Sequence, residues 1–299
     1  MAAGLVARRL LQAAAALLAV LLVVFVCLLT TGDPVEMLAP PEASERDKAM
    51  IRQAYGLDRP LLVQFGLFVW RAARGDFGRS FFSDRPALGL VSERLPASLE
   101  LALASTVIAV AVGVPLGMLV GYWGGWLESL VMRATDMLLI FPIIMLSIVI
   151  VVIAGPSEHG IVVALGLSQA PTFVRIARGV TLAVRQELYV EAAVAAGAGR
   201  ISILVHHVWP NIAAPIIVQA TLTLPVFVLN ASALSYLGLG VQPPTPEWGQ
   251  MLNEAKEFLI TAPHLLIGPA TALILFVLSA NLVGDAVQET LDPRLNRRR

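Results

Sequence analysis

The sequence predicts an all-α membrane protein of six spanning helices with both termini in the cytoplasm. Three observations carry this prediction. Of 299 residues, 57% are hydrophobic and 14% charged, too apolar a balance for a water-soluble domain. Several runs approach ~20 apolar residues, the length that crosses a hydrocarbon core ~30 Å thick. Basic residues lie beside the apolar runs at both ends (Arg8-Arg9 and Arg297-Arg298-Arg299), whereas the short segments 155–160 and 238–262 hold one, Lys256. Short cytoplasmic loops carry the excess of Lys and Arg, so both termini read as internal and the number of spans as even. A nucleic-acid-binding tail is the rival reading of the last arginines. An anchor to anionic lipid suits residues next to a span better, and no nucleic-acid partner is expected.

The first span runs from about Leu10 to Leu29 within a segment 1–31, and the turn residues Gly32-Asp33-Pro34 follow it. Its apolar run exceeds the ~7–15 residues of a secretory signal, and no small-x-small cleavage site follows, so it reads as a retained helix. Cys27 within it is the single cysteine, which leaves neither a disulfide framework nor a metal cluster. Residues 32–97 form an external loop domain with nine acidic and nine basic residues. At more than ~60 residues it falls outside the charge-bias rule. Ser44-Glu45-Arg46-Asp47 has the pattern of a capping box that opens a helix to about Tyr55. Pro60 suits the first turn of another, through Trp70, with an apolar face for neighbouring spans or the membrane interface. Gly75 to Ser80 is a turn.

The remaining spans make a core over 98–290, ahead of a basic cytoplasmic tail, 291–299. The second span is about Ser98–Tyr122, with Gly113, Pro115, Gly117 and Gly121 permitting a kink and close helix packing. The third is about Arg133–Ala154, and Asp136 can pair with Arg133 one helical turn away. The fourth is Gly160 to about Arg178, the fifth Ala213 to about Leu237, and the sixth about Leu265–Val287.

Between the fourth and fifth spans, at about 179–211, lies a loop marked cytoplasmic by Arg175, Arg178, Arg185 and Arg200. It holds a small-residue helix, Glu191-Ala192-Ala193-Val194-Ala195-Ala196, broken at Gly197 and Gly199. A second helix, Arg200 to Val208, is read as stopped by Pro210. Alanines let another surface approach closely, and Gly197 permits a sharp exit. The pattern fits a plug for another protein's socket; an ordinary solvated helix–turn–helix fits it too.

Enzymatic chemistry is not expected. Lys48 and Lys256 are the only lysines, and neither ends a phosphate-binding Gly-x-x-x-x-Gly-Lys-Ser/Thr run. No nucleophile elbow, His-Glu-x-x-His or paired-carboxylate pattern is present. His206 and His207 point ~100° apart on a helix and cannot converge on one metal ion. No cofactor is called for. Glu100, Asp136 and Asp285 sit near span ends, so an ion relay at mid-membrane is weakly supported. The fifth span carries Gln219, Thr223, Asn230 and Ser232 between Pro215 and Pro225, polar groups that must face protein or water. They are the candidates for a solute path, or for hydrogen bonds that merely hold the bundle together.

The loop resembles the EAA loop of ABC-importer permeases. Glu191, Ala192, Ala193 and Gly197 fit that pattern, and Pro210 closes it at the family's spacing. His207 and Trp209 stand where the general pattern prefers Ile and Leu, a departure seen in the peptide-importer branch. From about Ser98 onward the chain is similar to the second permease of dipeptide/oligopeptide/nickel importers. Gly121-Tyr122-Trp123-Gly124-Gly125-Trp126, Met132 to Asp136, Leu237 to Gly249 and Leu291-Asp292-Pro293-Arg294-Leu295 carry the likeness. The front is similar to the first permease of the same systems, through Gly32-Asp33-Pro34, Tyr55 to Leu61, Gly75 to Ser80 and Arg94 to Glu100. The resemblance implies an ABC type I importer permease in the cell inner membrane, non-catalytic, moving peptides or similar small solutes. It implies ATPase subunits on separate chains, a second permease subunit (a heterodimer rather than a homodimer) and an extracytoplasmic solute-binding protein. The ATPase-docking residues would be Glu191, Ala192, Ala193, Ala196, Gly197, His207 and Pro210. An ion-coupled carrier and a scaffold that recruits a cytoplasmic partner are the alternatives.

Overall fold

The computed structural model describes residues 43–55, 58–74, 87–241, 247–256 and 267–291, and Leu18, Leu22, Val26 and Val35 besides. The first span lies outside the described residues save for Leu18, Leu22 and Val26, which are helical. The turn at 75–80, the run 242–246 and the tail 292–299 lie outside them as well. Every regular element among the described residues is a helix. They are α1 (Glu45–Tyr55), α2 (Leu61–Ala73), α3 (Ala87–Trp123), α4 (Gly125–Ile140), α5 (Ile143–Ala154) and α6 (Glu158–Arg185). Then come α7 (Leu188–Ala195), α8 (Arg200–Ile203), a π-helical turn (Leu204–Val208), α9 (Trp209–Tyr236), α10 (Trp248–Lys256) and α11 (Ile267–Leu291). The chain divides into two compact units, residues 1–96 with 246–278, and 97–245 with 279–299.

In the first unit, α1 opens on the expected capping box. The Ser44 hydroxyl and backbone N–H both donate to Asp47 Oδ2, at 2.7 and 3.0 Å, and the Asp47 N–H donates back to Ser44 Oγ at 3.3 Å. These bonds favour the charged carboxylate and hold Asp47 below its usual value of 3.8. Trp248, at the start of α10, is buried and meets Phe276 edge-on at 5.8 Å.

In the second unit, α6 is the central helix. Its Ala164, Leu165, Phe173, Val174 and Ala177 are fully or nearly buried. Helix α3 lays its glycine row against it. A Cβ added to Gly113 would stand 2.5 Å from the Ala170 carbonyl oxygen. The same test at Gly117 and Gly121 gives 2.4 Å to Val174 O and 2.9 Å to Arg178 O. Glycine at four-residue intervals is therefore what lets the two backbones touch, the small-residue packing anticipated from the sequence. Gly166 of α6 returns the contact against Ile108 and Ser105. The opposite side of α3 exposes Leu103, Val107 and Leu119, a lipid-type surface. Helix α5 joins α6 through a buried hydrogen bond, Ser147 Oγ to Ser168 Oγ at 3.0 Å.

Several expectations about the elements are corrected. The third span is not one rod. Helices α4 and α5 meet at a 100° bend, because Pro142 cannot continue the ladder and forces Phe141 into an extended conformation (φ −79°, ψ 134°). Asp136 does not pair with Arg133. Its Oδ1 accepts from Arg175 Nη2 of α6 at 2.5 Å, and Glu128 of α4 accepts from both Nε (2.7 Å) and Nη2 of Arg178. Nor does Pro210 stop the helix that begins at Arg200. The chain passes through the π turn into α9 without a break. Four helices among the described residues are long and apolar enough to span a membrane, or five if α4 and α5 together make one.

Candidate functional site

The loop between α6 and α9 is built from two short helices tied down by few side chains. After α6, the Gln186 N–H still bonds the Ala183 and Val184 carbonyls, and Glu187 turns extended to start α7. Val190 is the one buried residue of α7. The helix then ends in a Schellman motif. Ala198 N–H donates to Ala193 O and Gly197 N–H to Val194 O, each at 3.0 Å. Gly197 occupies the left-handed region, φ +84°, where a side chain costs about 1–2 kcal/mol. The sequence placed the break there for that reason, and the geometry agrees.

The second limb, α8 and the π turn, is anchored by Ile203, Leu204 and Val208, all buried. Its π character has a local cause. Trp209 N–H donates to Leu204 O, five residues back, and the widened turn makes room for the Pro210 ring, which an α-helical register would drive into the carbonyl four residues earlier. Asn211 Nδ2 donates to His207 O at 2.6 Å, satisfying a carbonyl in the widened turn. The His207 ring rests against Tyr189 of α7, centroids 6.2 Å apart, and so ties the two limbs together.

The seven residues expected to dock a partner divide by exposure. Glu191, Ala192, Ala196, Gly197 and Pro210 are exposed, while Ala193 and His207 are half-buried. Nothing stands within 4 Å of a Cβ placed on Gly197. The structure adds residues that the sequence reading passed over. Leu188 is 80% exposed, Ile201 73% and Val194 54%, and Val205 and Trp209 are also open. Ile201, Val205 and Trp209 recur every four residues and so share a helix face. Apolar residues at that spacing in a loop flanked by arginines were the signal for them.

The four candidates for a solute path do not share one face. Gln219, Thr223 and Asn230 fall within about 40° of one another around α9, whereas Ser232 lies about 140–180° from Asn230 and its neighbours at ~100° per residue. Gln219 Nε2 donates to Thr223 Oγ1 at 3.2 Å, and that hydroxyl donates to Gln219 O at 2.7 Å. Asn230 Nδ2 donates to Val226 O at 2.8 Å. Ser232 is buried and its hydroxyl has no hydrogen-bond partner among the described residues. No group of three or more His, Cys, Asp or Glu among those residues could hold a metal ion.

Comparison with known proteins gives the family. Residues 113–297 match the profile of the binding-protein-dependent transport system inner membrane component. The chain is 41% identical over 198 residues to the glutathione transport system permease protein GsiD of Pectobacterium atrosepticum, 66% of each chain. It is 40% identical over 220 residues to the dipeptide transport system permease protein DppC of Alkalihalophilus pseudofirmus, 74% of this chain and 70% of that one. These matches span about two thirds of the relatives' lengths. Among solved structures, an inward-facing form of the MetNI methionine ABC transporter superposes with TM-score 0.56 at 19% identity, covering 68% of this chain and 96% of that one. At that identity the likeness speaks for the fold. Apolar helices, the glycine-packed pair, the loop between α6 and α9 and these matches agree: the chain belongs to the family of inner-membrane components of binding-protein-dependent transport systems, and is a multi-pass permease subunit.

Proposed function

We propose that this permease carries peptides or similar small solutes into the cell and takes its power from ATPase subunits docked on the loop between α6 and α9. One observation carries the reading. A short helix with a single buried anchor, Val190, turns Leu188, Glu191, Ala192, Val194 and Ala196 outward, on a loop that joins two helices long and apolar enough to span a membrane. Burying a side chain such as Leu188 or Ile201 in a partner's groove is worth about 1.5–3 kcal/mol. Ala192 and Ala196 give that partner close access, Glu191 offers a charge to fix its orientation, and Gly197 makes the exit. Ala193 and His207 act from behind, as packing that holds the limbs at a fixed angle, and exposed Pro210 fixes the backbone where the second limb enters α9. The names of the relatives, glutathione and dipeptide permeases, support a peptide-like solute.

In this reading the membrane domain has six spans with both termini inside, residues 32–97 face outward toward a solute-binding protein, and a second, different permease subunit completes the path. Half-buried Gln219 and Asn230 line that path on one face of α9, with Thr223 buried between them. Ser232, on the other side, belongs with the helix packing. The test is affinity purification of the tagged chain from native membranes in mild detergent, beside a Glu191→Arg, Gly197→Pro variant. An ATPase and a second permease that accompany the parent, with the ATPase lost from the variant, support the proposal. Equal recovery of the ATPase with both chains would sink the docking assignment.

A further inference from the structure

Helix α11 carries a polar row that the preceding reading does not use. Asn281, Asp285 and Gln288 follow at intervals of four and three residues and so share one helix face. Asn281 lies at the middle of the candidate span Ala272–Leu291. Its side chain and that of Gln288 are exposed, and Asp285 is half-buried and already engaged. The adjacent Gly284 is buried where α11 closes on α9; a Cβ there would stand 2.7 Å from Leu222 Cδ2. The polar row therefore runs beside the α9 contact.

Two physical facts decide what it faces. Only 17% of this span's apolar window is buried within the chain, against 61% for α6, so most of α11 meets something else. Lipid cannot cover Asn281, because a carboxamide left without partners in hydrocarbon costs about 2–7 kcal/mol. Helix–helix contacts in membranes favour small residues, and Gly284, the small residue next to Asp285, is spent on α9. Polar and ionisable groups in register along a span face the interior of a bundle or a water-filled cavity, where they mark solute and ion pathways.

We propose that the Asn281–Asp285–Gln288 face of α11 lines the solute path, its carboxylate and two carboxamides favouring polar solutes that offer amine or amide N–H groups. The assignment rests on the permease reading above.

The test uses the assembled transporter in membrane vesicles, with Cys27→Ser as background and Asn281→Cys, Gln288→Cys or Val283→Cys added singly. Val283 is 56% exposed and lies about 140–160° around the helix from the polar row. A charged, water-soluble thiosulfonate should modify positions 281 and 288 about tenfold faster than 283, the rate ratio of a 1.4 kcal/mol difference. Modification no faster than at 283 would mean a face sealed by lipid or by the partner subunit, and would overturn the proposal. In parallel, Asn281→Leu should lower ATP-dependent uptake of dialanine or glutathione about tenfold while the complex still assembles. Fast modification with uptake unchanged in Asn281→Leu would place the row in a wet cleft off the path, and would overturn it equally. Uptake by the background chain is the separate check on the permease reading; its loss there sinks that reading, while the modification rates still decide whether this face is wet.

Discussion

The α3–α6 seam and the loop between α6 and α9 use the same residue types for opposite ends. In the seam, Gly113, Gly117 and Gly121 bring two backbones into contact, and nothing larger than hydrogen fits. In the loop, Ala192, Ala196 and Gly197 are just as small, but they face open space. The seam is satisfied within the chain. In the proposed function, the loop is covered when a partner subunit docks on it. Small residues report close approach in both places, and only burial tells whether the approaching surface belongs to the same chain.

The comparison breaks most sharply at Gly117. In Gly117→Leu the new Cβ meets the Val174 carbonyl oxygen at 2.4 Å, and a backbone atom cannot step aside. A loss of about 3 kcal/mol or more is expected, read as failure to accumulate in membranes. Gly179→Ala, where a Cβ meets nothing within 4 Å, should accumulate normally and serves as the control. Next in size is Gly197→Pro. Proline cannot adopt φ +84° and removes the N–H that closes on Val194 O. Uptake should be abolished with membrane insertion intact, as measured by transport and by chain recovery from membranes; wild-type uptake would sink the coupling role. A bulky residue at half-buried Ala193 should act in the same direction.

Smaller effects sharpen the seam's electrostatic edge. The Arg178–Glu128 pair is 35% and 17% exposed and the Arg175–Asp136 pair 55% and 57%. A double-mutant cycle on the first should give about 1 kcal/mol and on the second a few tenths, measured as thermal stability in detergent. Reversal of that order would show that exposure does not govern these pairs. Smallest of all is the α1 cap. Because Ser44 lowers the Asp47 value, the cap's contribution is complete above 3.8 and is lost as pH falls through the lower folded value. In Ser44→Ala, exchange of the first-turn amides of α1 should quicken, and the pH at which protection is lost should move up.

Periodic features were legible in the sequence. The glycine row of α3 repeats every four residues, the capping box pairs residues three positions apart, and Gly197 ends a run of helix formers. Features that depend on distant partners were hidden. Arg133 is the cation nearest Asp136 along the chain, but Arg175, 39 residues on, is the one that reaches it. The run from Met137 to Ala154, apolar but for Ser147, masks the bend at Pro142, since hydropathy says nothing of direction. Pro210 reads as a stop on local rules, yet the widened turn before it absorbs the ring. At the candidate path, spacing alone separates Ser232 from Gln219, Thr223 and Asn230, but composition had grouped all four.

The π turn at Leu204–Val208 amounts to one surplus residue held in an otherwise α-helical rod. Deleting a single residue there, Val205 for instance, would let the ladder close at four and leave α9 its own hydrogen bonds. It would also swing everything upstream by about 100° around the α9 axis. A relative lacking that residue would thus aim an unchanged coupling loop in a different direction, so the length of this stretch, as well as its sequence, sets where the loop points.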